Sequence, residues 1–318
     1  RDRLPVELHY LLPTYPAQYI VAGIAFARLA TLLRRWQPAA WAIFGLAAIL
    51  QVWVWLSLFT FVTSQSTPGG YGTPVKYYRQ AVEQARLLQS EMNGREIIIA
   101  GTGENPKEDP FSAVFDVLLR NDAHRFVNIN QSALFPAHEA IVILNPDADS
   151  VAASAYRQAA TRLRPIQLRQ GEGEITVLAI PAEGAPDPDH TLQETTLFAN
   201  WVTLYGYDDL ILNAEGPANW RIYWHTGGNP DPANYHFFNH LLDAEETLLA
   251  QADGPLFSPG QWQAGDRVIS FFTLPLPDNS VVPLSVRTGV YTYPGFEHVP
   301  VLDIAGNPAS DGVSLPIR

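Results

Sequence analysis

The chain contains no cysteine, which excludes disulfide scaffolding and thiolate metal sites. Its one methionine is Met92 and its first residue is Arg1; the expectation is a piece of a longer protein whose start lies upstream. Basic clusters are missing too. The net charge is −12, yet residues 1–64 hold Arg1, Arg3, Arg28, Arg34 and Arg35 against Asp2 and Glu7, so the remainder carries −15. Phosphate binding needs clustered Lys and Arg, so nucleic acid is excluded as a partner. The most telling absence is local: no charged residue occurs from Pro38 to Pro74. At 318 residues the chain exceeds one compact core, and two or three domains are expected.

Water does not require an uncharged stretch of that length; a bilayer does. From Ala40 to Val62 the only polar residues are Gln51, Ser57 and Thr60. A helix over them rises about 1.5 Å per residue and reaches roughly 34 Å, enough to cross a hydrocarbon core of about 30 Å. Trp41, Trp53 and Trp55 suit a lipid-facing or interfacial surface. The competing reading is a buried helix of a soluble protein. A cleaved signal peptide fits poorly, because the apolar run exceeds an h-region and follows another apolar segment. That earlier segment, Tyr15 to Leu33, is interrupted by Arg28, close enough to its end for the guanidinium to snorkel to the head groups. Arg34 and Arg35 follow, and Pro38 opens the next helix at a favourable position. Residues 1–65 therefore read as a transmembrane hairpin with helices at about 15–33 and 39–63. Its basic loop belongs in the cytoplasm, which puts residues 1–14 and everything after Ser64 outside.

"SQSTPGGYGTP" is a Gly/Pro/Ser linker, and "VKYYRQAVEQARLLQSEMNG" is an amphipathic helix closing on Gly94. "REIIIAGTG" is an apolar β-branched run ending in glycine, as a buried parallel strand would. In "DPFSAVFDVLLR" Asp109 stands ready to cap a helix that starts at Pro110. "HRFVNI" and "EAIVILNP" follow as strands, then a helix between Ser150 and Arg164, then strands at Ile166–Leu168 and Ile175–Ile180. The alternation predicts a small α/β domain over 68–182. After the linker "PAEGAPDPDH" the period changes to two. In "NWRIYWH" Trp220, Ile222 and Trp224 share one face and Arg221, Tyr223 and His225 the other. "YHFFNHLLD", "DRVISFFTLPLP" and "PLSVRTGVYTYP" alternate similarly, with "TGGNPDP" and "ADGP" as turns. This pattern predicts an antiparallel β-sandwich over 191–318, able to fold without the membrane part.

Motifs that carry chemistry are few. "GTGENP" follows a strand, but the dinucleotide fingerprint needs a third glycine where Pro106 stands, so an ordinary strand-exit turn is the expectation. His236 and His240 lie on a strand, where i and i+4 are about 13 Å apart. No carboxylate completes a metal triad, and no metal or cofactor is expected. Ser64 and Ser66 lack a nucleophile-elbow context. Trp201, Trp220, Tyr223, Trp224, Trp262, Tyr291 and Tyr293 are either core or sugar-stacking platforms. In "HYLLPTYP", His9 and Tyr10 with two prolines stand at the outer mouth of the first helix. That is where a lipid-linked phosphate would arrive, unless the pair is an interfacial anchor.

"HYLLPTYPA" entering a transmembrane helix resembles the C-terminal membrane region of bacterial family 39 glycosyltransferases, the mannosyl/aminoarabinosyl-transferase type with a many-helix GT-C fold. "GGYGTPVKYYRQAVEQAR", "DPFSAVFDVLLRNDAHRFVN" and "ALFPAHEAIVILNP" resemble the outer domain of Chloroflexi-type members. "FANWVTLYGYD", "HLLDAEETLLAQADGP", "QWQAGDRVI" and "GVYTYPGFEHVPVLDIAGNPASDGVSL" resemble the sandwich that ends those chains. The resemblance implies a multi-pass enzyme of the bacterial cell membrane that moves a sugar from a polyprenyl-phosphate donor to a glycan or protein acceptor on the outer face. It implies that the catalytic acidic residues lie in a loop with no counterpart in this sequence, so no catalytic residue is carried over. His9 and Tyr10 are the residues it points to for substrate binding. Where the family often has Arg, this chain has His9, a titratable partner for phosphate. A second reading, from a different class, is a membrane-anchored scaffold without catalysis whose sandwich recognises a glycan or a protein partner.

Overall fold

The computed structural model describes residues 15–32, 34–67, 72–146, 150–210, 217–228, 233–255, 257–275 and 283–317. His9 and Tyr10 lie outside them. The chain divides into two compact units, Arg1–Thr67 and Pro68–Arg318.

In the first unit α1 (Tyr15–Leu32) and α2 (Gln37–Ser64) are joined by a 3-10 turn, Arg34–Trp36. Pro38 sits in the first turn of α2, where its missing N–H has no helical partner to lose. Phe26 of α1 packs on Trp41 and Phe44 of α2, with ring centroids 5.5 and 4.9 Å apart. No residue of α2 is buried. Its 28 residues rise about 42 Å. Thr60 and Ser64 donate their hydroxyls to the carbonyls of Leu56 and Thr60, at 2.9 and 2.8 Å, so they expose no unpaired donor. Among the described residues α2 is the one helix long and apolar enough to cross a membrane. The expected first span forms as a helix but falls short of that standard: Arg28 and Gln18 dilute its apolar character over only 18 residues.

The second unit begins with α3 (Val75–Met92), β1 (Glu96–Gly101), α4 (Pro110–Leu118), β2 (His124–Asn128), β3 (Ser132–Phe135), β4 (Ala140–Leu144), α5 (Val151–Ala159), β5 (Arg162–Gln167) and β6 (Glu174–Ile180). There follow β7 (His190–Leu197), β8 (Val202–Tyr207), β9 (Ala218–Thr226), β10 (Tyr235–Leu242), β11 (Leu248–Pro255), β12 (Arg267–Leu274) and β13 (Ser285–Thr292). It ends with β14 (His298–Val299), β15 (Val301–Leu302), β16 (Pro308–Ser310) and β17 (Val313–Pro316).

A mixed sheet has the order β2-β1-β4-β6-β5, parallel across its first three strands and antiparallel across the rest. Strand alternation decides which layer each residue joins. Ile97 and Ile99 pack with Ala81, Ala85 and Leu88 of α3 and Phe111 and Phe115 of α4. Ile98 and Ala100 belong instead to the core shared with α5 and the later strands. The αL residue that ends α3 is Asn93, with φ 54°, one position before the expected Gly94. Asp109 caps α4, accepting from the backbone N–H groups of Phe111 and Ser112 at 3.3 and 3.2 Å. A Cβ on Gly101 would stand 2.5 Å from an Asp109 carboxylate oxygen. The glycines of "GTGENP" therefore admit this cap, as a strand-exit turn.

Two further five-stranded sheets are antiparallel, with orders β3-β12-β9-β8-β7 and β11-β10-β13-β14, β17 pairing also with β13. Their side chains meet at Trp224 of β9 and Phe237 of β10, centroids 4.9 Å apart. β3 comes from the α/β segment of the chain but pairs with β12, Phe135 opposite Arg267. Three local expectations are corrected. The helix expected between Ser150 and Arg164 stops at Ala159; Pro165 disfavours helical backbone at Arg164 and is tolerated in the edge strand β5. "ADGP" is the end of β11, another edge strand, where Gly254 and Pro255 cost no interior ladder bond. β3 was not foreseen, because four residues carry too little period to announce a strand.

Candidate functional site

Of the aromatic residues singled out in the sequence, four are core. Trp220, Tyr223, Trp224 and Trp262 are buried. Trp224 donates its indole N–H to Ser270 Oγ at 2.8 Å, and Tyr223 its hydroxyl to Asp208 at 3.0 Å. Three are not core in that sense: Trp201 is 60% exposed, Tyr293 is 46% exposed, and Tyr291 is buried at the edge of a cleft.

That cleft is built on the outward face of β10. His236, Phe238 and His240 alternate outward there, while Phe237 and Leu241 point into the core. The pairing register sets their neighbours. Asp253 of β11 is opposite Phe238 on one side and Gly289 of β13 on the other; Tyr291 is opposite His236, and His298 of β14 is opposite Tyr291. The glycine is required. A Cβ at Gly289 would lie 2.4 Å from Cζ of Phe238, so the ring lies flat across a position with no side chain.

The rings form a stepped surface. His236 stacks on Tyr293 at 4.3 Å and 8°, Tyr291 on Phe296 at 5.8 Å and 17°, and Phe238 lies 6.4 Å from Tyr291 at 28°. His298 stands against Phe238 at 80° as a wall. The cavity between Phe238, His240, Asp253, Tyr291, Phe296 and His298 measures about 160 Å³. Phe296 is presented by a backbone in the left-handed region, φ 56°, and is 64% exposed. A non-glycine residue rarely adopts that conformation without something nearby enforcing it.

Two charged groups bear on the cleft: Asp253, which lines it, and Arg287 of β13, opposite His240 and paired with Asp311. Burial pushes the pKa of His236 down, against the opposing pull of Asp253. His240 is pushed down by burial as well, Asp253 again opposing and Arg287 and His298 assisting. The Tyr291 hydroxyl is pushed up, by burial first and then by Asp253 and Tyr293. Near neutral pH His236 and His240 are therefore held in their neutral form beside Asp253. His236 and His240 share a strand face as expected, and among the described residues no group of three His, Asp or Glu is placed to hold a metal.

A second cavity of about 280 Å³ adjoins across β14, lined by Asn200, Trp201, Tyr235, Thr292, Glu297 and His298. A third, of about 360 Å³, lies where α5 meets β9 and β12. Its charged groups are already paired, Arg221 with Asp208 at 2.5 Å and Asp209 with His190 at 2.7 Å. Phe238, Phe296 and His298 were missed from the sequence. Phe238 alone had a signal, the two-residue alternation of β10; His298 joins the cleft through pairing register and Phe296 through a turn, and neither is written in a single strand.

No family model matches this chain, and neither the curated proteins nor the solved structures contain a match.

Proposed function

We propose that the chain is the C-terminal membrane and accessory region of a polyprenyl-phosphate-sugar-dependent glycosyltransferase of the bacterial cell membrane. The enzyme class in this reading rests on the sequence resemblance; the structural observation that supports its membrane part is α2, a 28-residue helix with no buried residue that precedes a large, acidic unit. In this reading α1 crosses alongside it through the Phe26–Trp41–Phe44 contact, with Arg28 snorkelling at its end. The Arg34–Arg35 turn faces the cytoplasm, because basic loops are retained there. Residues 65–318 then stand on the outer face, where a lipid-linked donor and a glycan or protein acceptor meet. His9 and Tyr10 contact the donor phosphate, and residues 1–318 contribute no acid–base machinery of their own.

A second reading, a membrane-anchored scaffold that recognises a glycan without catalysis, is favoured by one observation: the open aromatic cleft of β10, β13 and β14. One experiment separates the two. Membrane vesicles carrying the product of the whole gene are supplied with a polyprenyl-phosphate-linked sugar, beside vesicles carrying only residues 1–318. The first reading expects transfer by the former and none by the latter. Absence of transfer by both supports the scaffold, and turnover by 1–318 alone overturns both.

A further inference from the structure

We infer that the two cavities flanking β14 form one binding site for an uncharged oligosaccharide, with His298 standing between two sugar subsites. The inference deepens the glycan-recognition reading of the same cleft and rests on it, but not on the glycosyltransferase reading, so the binding test below can fail while the transfer experiment succeeds.

The first subsite is the cleft over Phe238, Tyr291 and Phe296. A pyranose has one face of C–H bonds and an equator of hydroxyls. Such a body needs a flat ring beneath it and hydrogen-bonding groups at the edge, the combination of apolar lining and few convergent polar groups that marks small-molecule sites. Here Phe296, 64% exposed, supplies the ring face, the buried Tyr291 lies within 17° of parallel behind it, and Asp253, His240 and His298 line the same cavity. The second subsite repeats the arrangement. Trp201, with φ 66° and 60% exposure, presents its indole beside Glu297. Asn200, 4% exposed, lines this cavity, and its amide nitrogen has no partner among the described residues. Its side-chain oxygen accepts from the Val202 N–H at 3.4 Å, which fixes the side chain at the cavity wall. Two aromatic platforms with two carboxylates and one shared imidazole suit a linear ligand longer than one sugar.

The charge pattern decides between ligand classes. Asp253 and Glu297 repel an anionic glycan, and among the described residues no Lys or Arg lines either cavity. A quaternary ammonium needs rings enclosing it on several sides. In the cleft the rings are instead a near-parallel staircase with a single perpendicular wall.

The test uses the full chain in lipid nanodiscs, because sugar-headgroup detergents would compete for the site. Binding of neutral hexose oligosaccharides of two to six units is measured by calorimetry, with sialylated oligosaccharides and choline as comparison ligands. Expected is saturable binding of a neutral oligosaccharide that tightens from two to four units. Phe296→Ala and Trp201→Ala, both exposed positions with folding checked by circular dichroism, should each weaken it at least tenfold. Absence of binding by every neutral oligosaccharide at millimolar concentration overturns the inference. So does preference for the sialylated ligands or for choline, or binding that neither aromatic substitution alters.

Discussion

Arg125 of β2 donates two guanidinium nitrogens to Asp266, which immediately precedes β12, at 2.5 and 3.1 Å. On its other side it holds Glu96 of β1 at 2.7 and 2.6 Å. All three side chains are buried. Burial works against the guanidinium charge, but the hydrogen bonds to Asp266 and Glu96 outweigh it and hold the pKa above the ordinary arginine value. The clasp therefore joins the mixed sheet to the antiparallel one. Removing the arginine strands two buried carboxylates side by side, so Arg125→Ala should destabilise residues 68–318 by about 3–5 kcal/mol in urea titration. Arg125→Lys should fail to restore stability, since an ammonium cannot make two forked pairs.

The same relationship bears on where the chain can be cut. Residues 68–318 expressed alone should unfold in one cooperative step, because β3 and Arg125 bind the two halves of this unit together. Residues 191–318 alone lack β3 at the edge of β12 and leave Asp266 without its arginine. That shorter piece should show a weaker or absent near-ultraviolet transition, although the two-residue alternation of its strands suggested a self-sufficient sandwich. A sharp, equally stable transition for 191–318 would refute this.

Acid should loosen the cleft. His236 and His240 have folded pKa values below the unfolded value of about 6.5. A depressed imidazole contributes stability that is present above the unfolded pKa and lost as pH falls through the folded one. Stability should therefore fall as pH drops from 7 through 6.5 and below. Glu104 and Asp208, whose pKa values burial raises, act in the opposite sense, so the informative quantity is a difference. His240→Gln should lose less stability than the parent between pH 7 and 5 in thermal melts; identical pH profiles would count against the assignment.

Gly289 should tolerate no side chain. Its Cβ would stand 2.4 Å from Phe238 and 2.8 Å from the carbonyl of Asp311. Gly289→Ala should cost about 1–3 kcal/mol by overpacking, measured by denaturant melts. It should also displace the Phe238 ring from the cleft floor.

Much of this architecture was legible one segment at a time. The uncharged run of α2, the Asp109 cap and the alternation of Trp220, Ile222 and Trp224 each follow from period and residue type. What lay beyond a single segment was not legible. β3 is short and finds its partner 132 positions or more along the chain, at Arg267–Ser270. Tyr223 is buried on the face it shares with Arg221 and His225, because Tyr205 packs on its ring and Asp208 accepts from its hydroxyl. The cleft is assembled from several strands, and of its rings the sequence singled out Tyr291 and Tyr293, as core or platform, and His236 and His240, as a strand pair. Asp253 and Gly289 matter through register, and Phe296 through the turn that joins β13 to β14.

The proposed topology, in which α2 crosses a membrane and leaves residues 65–318 on its outer face, can be measured directly because the chain has no native cysteine. Single substitutions Ser66→Cys and Gln37→Cys are treated in intact cells with a membrane-impermeant thiol reagent. Labelling at position 66, with position 37 protected until the cells are opened, is the predicted result. Labelling at 37 but not at 66 would reverse the orientation, and equal labelling at both without lysis would contradict a membrane span.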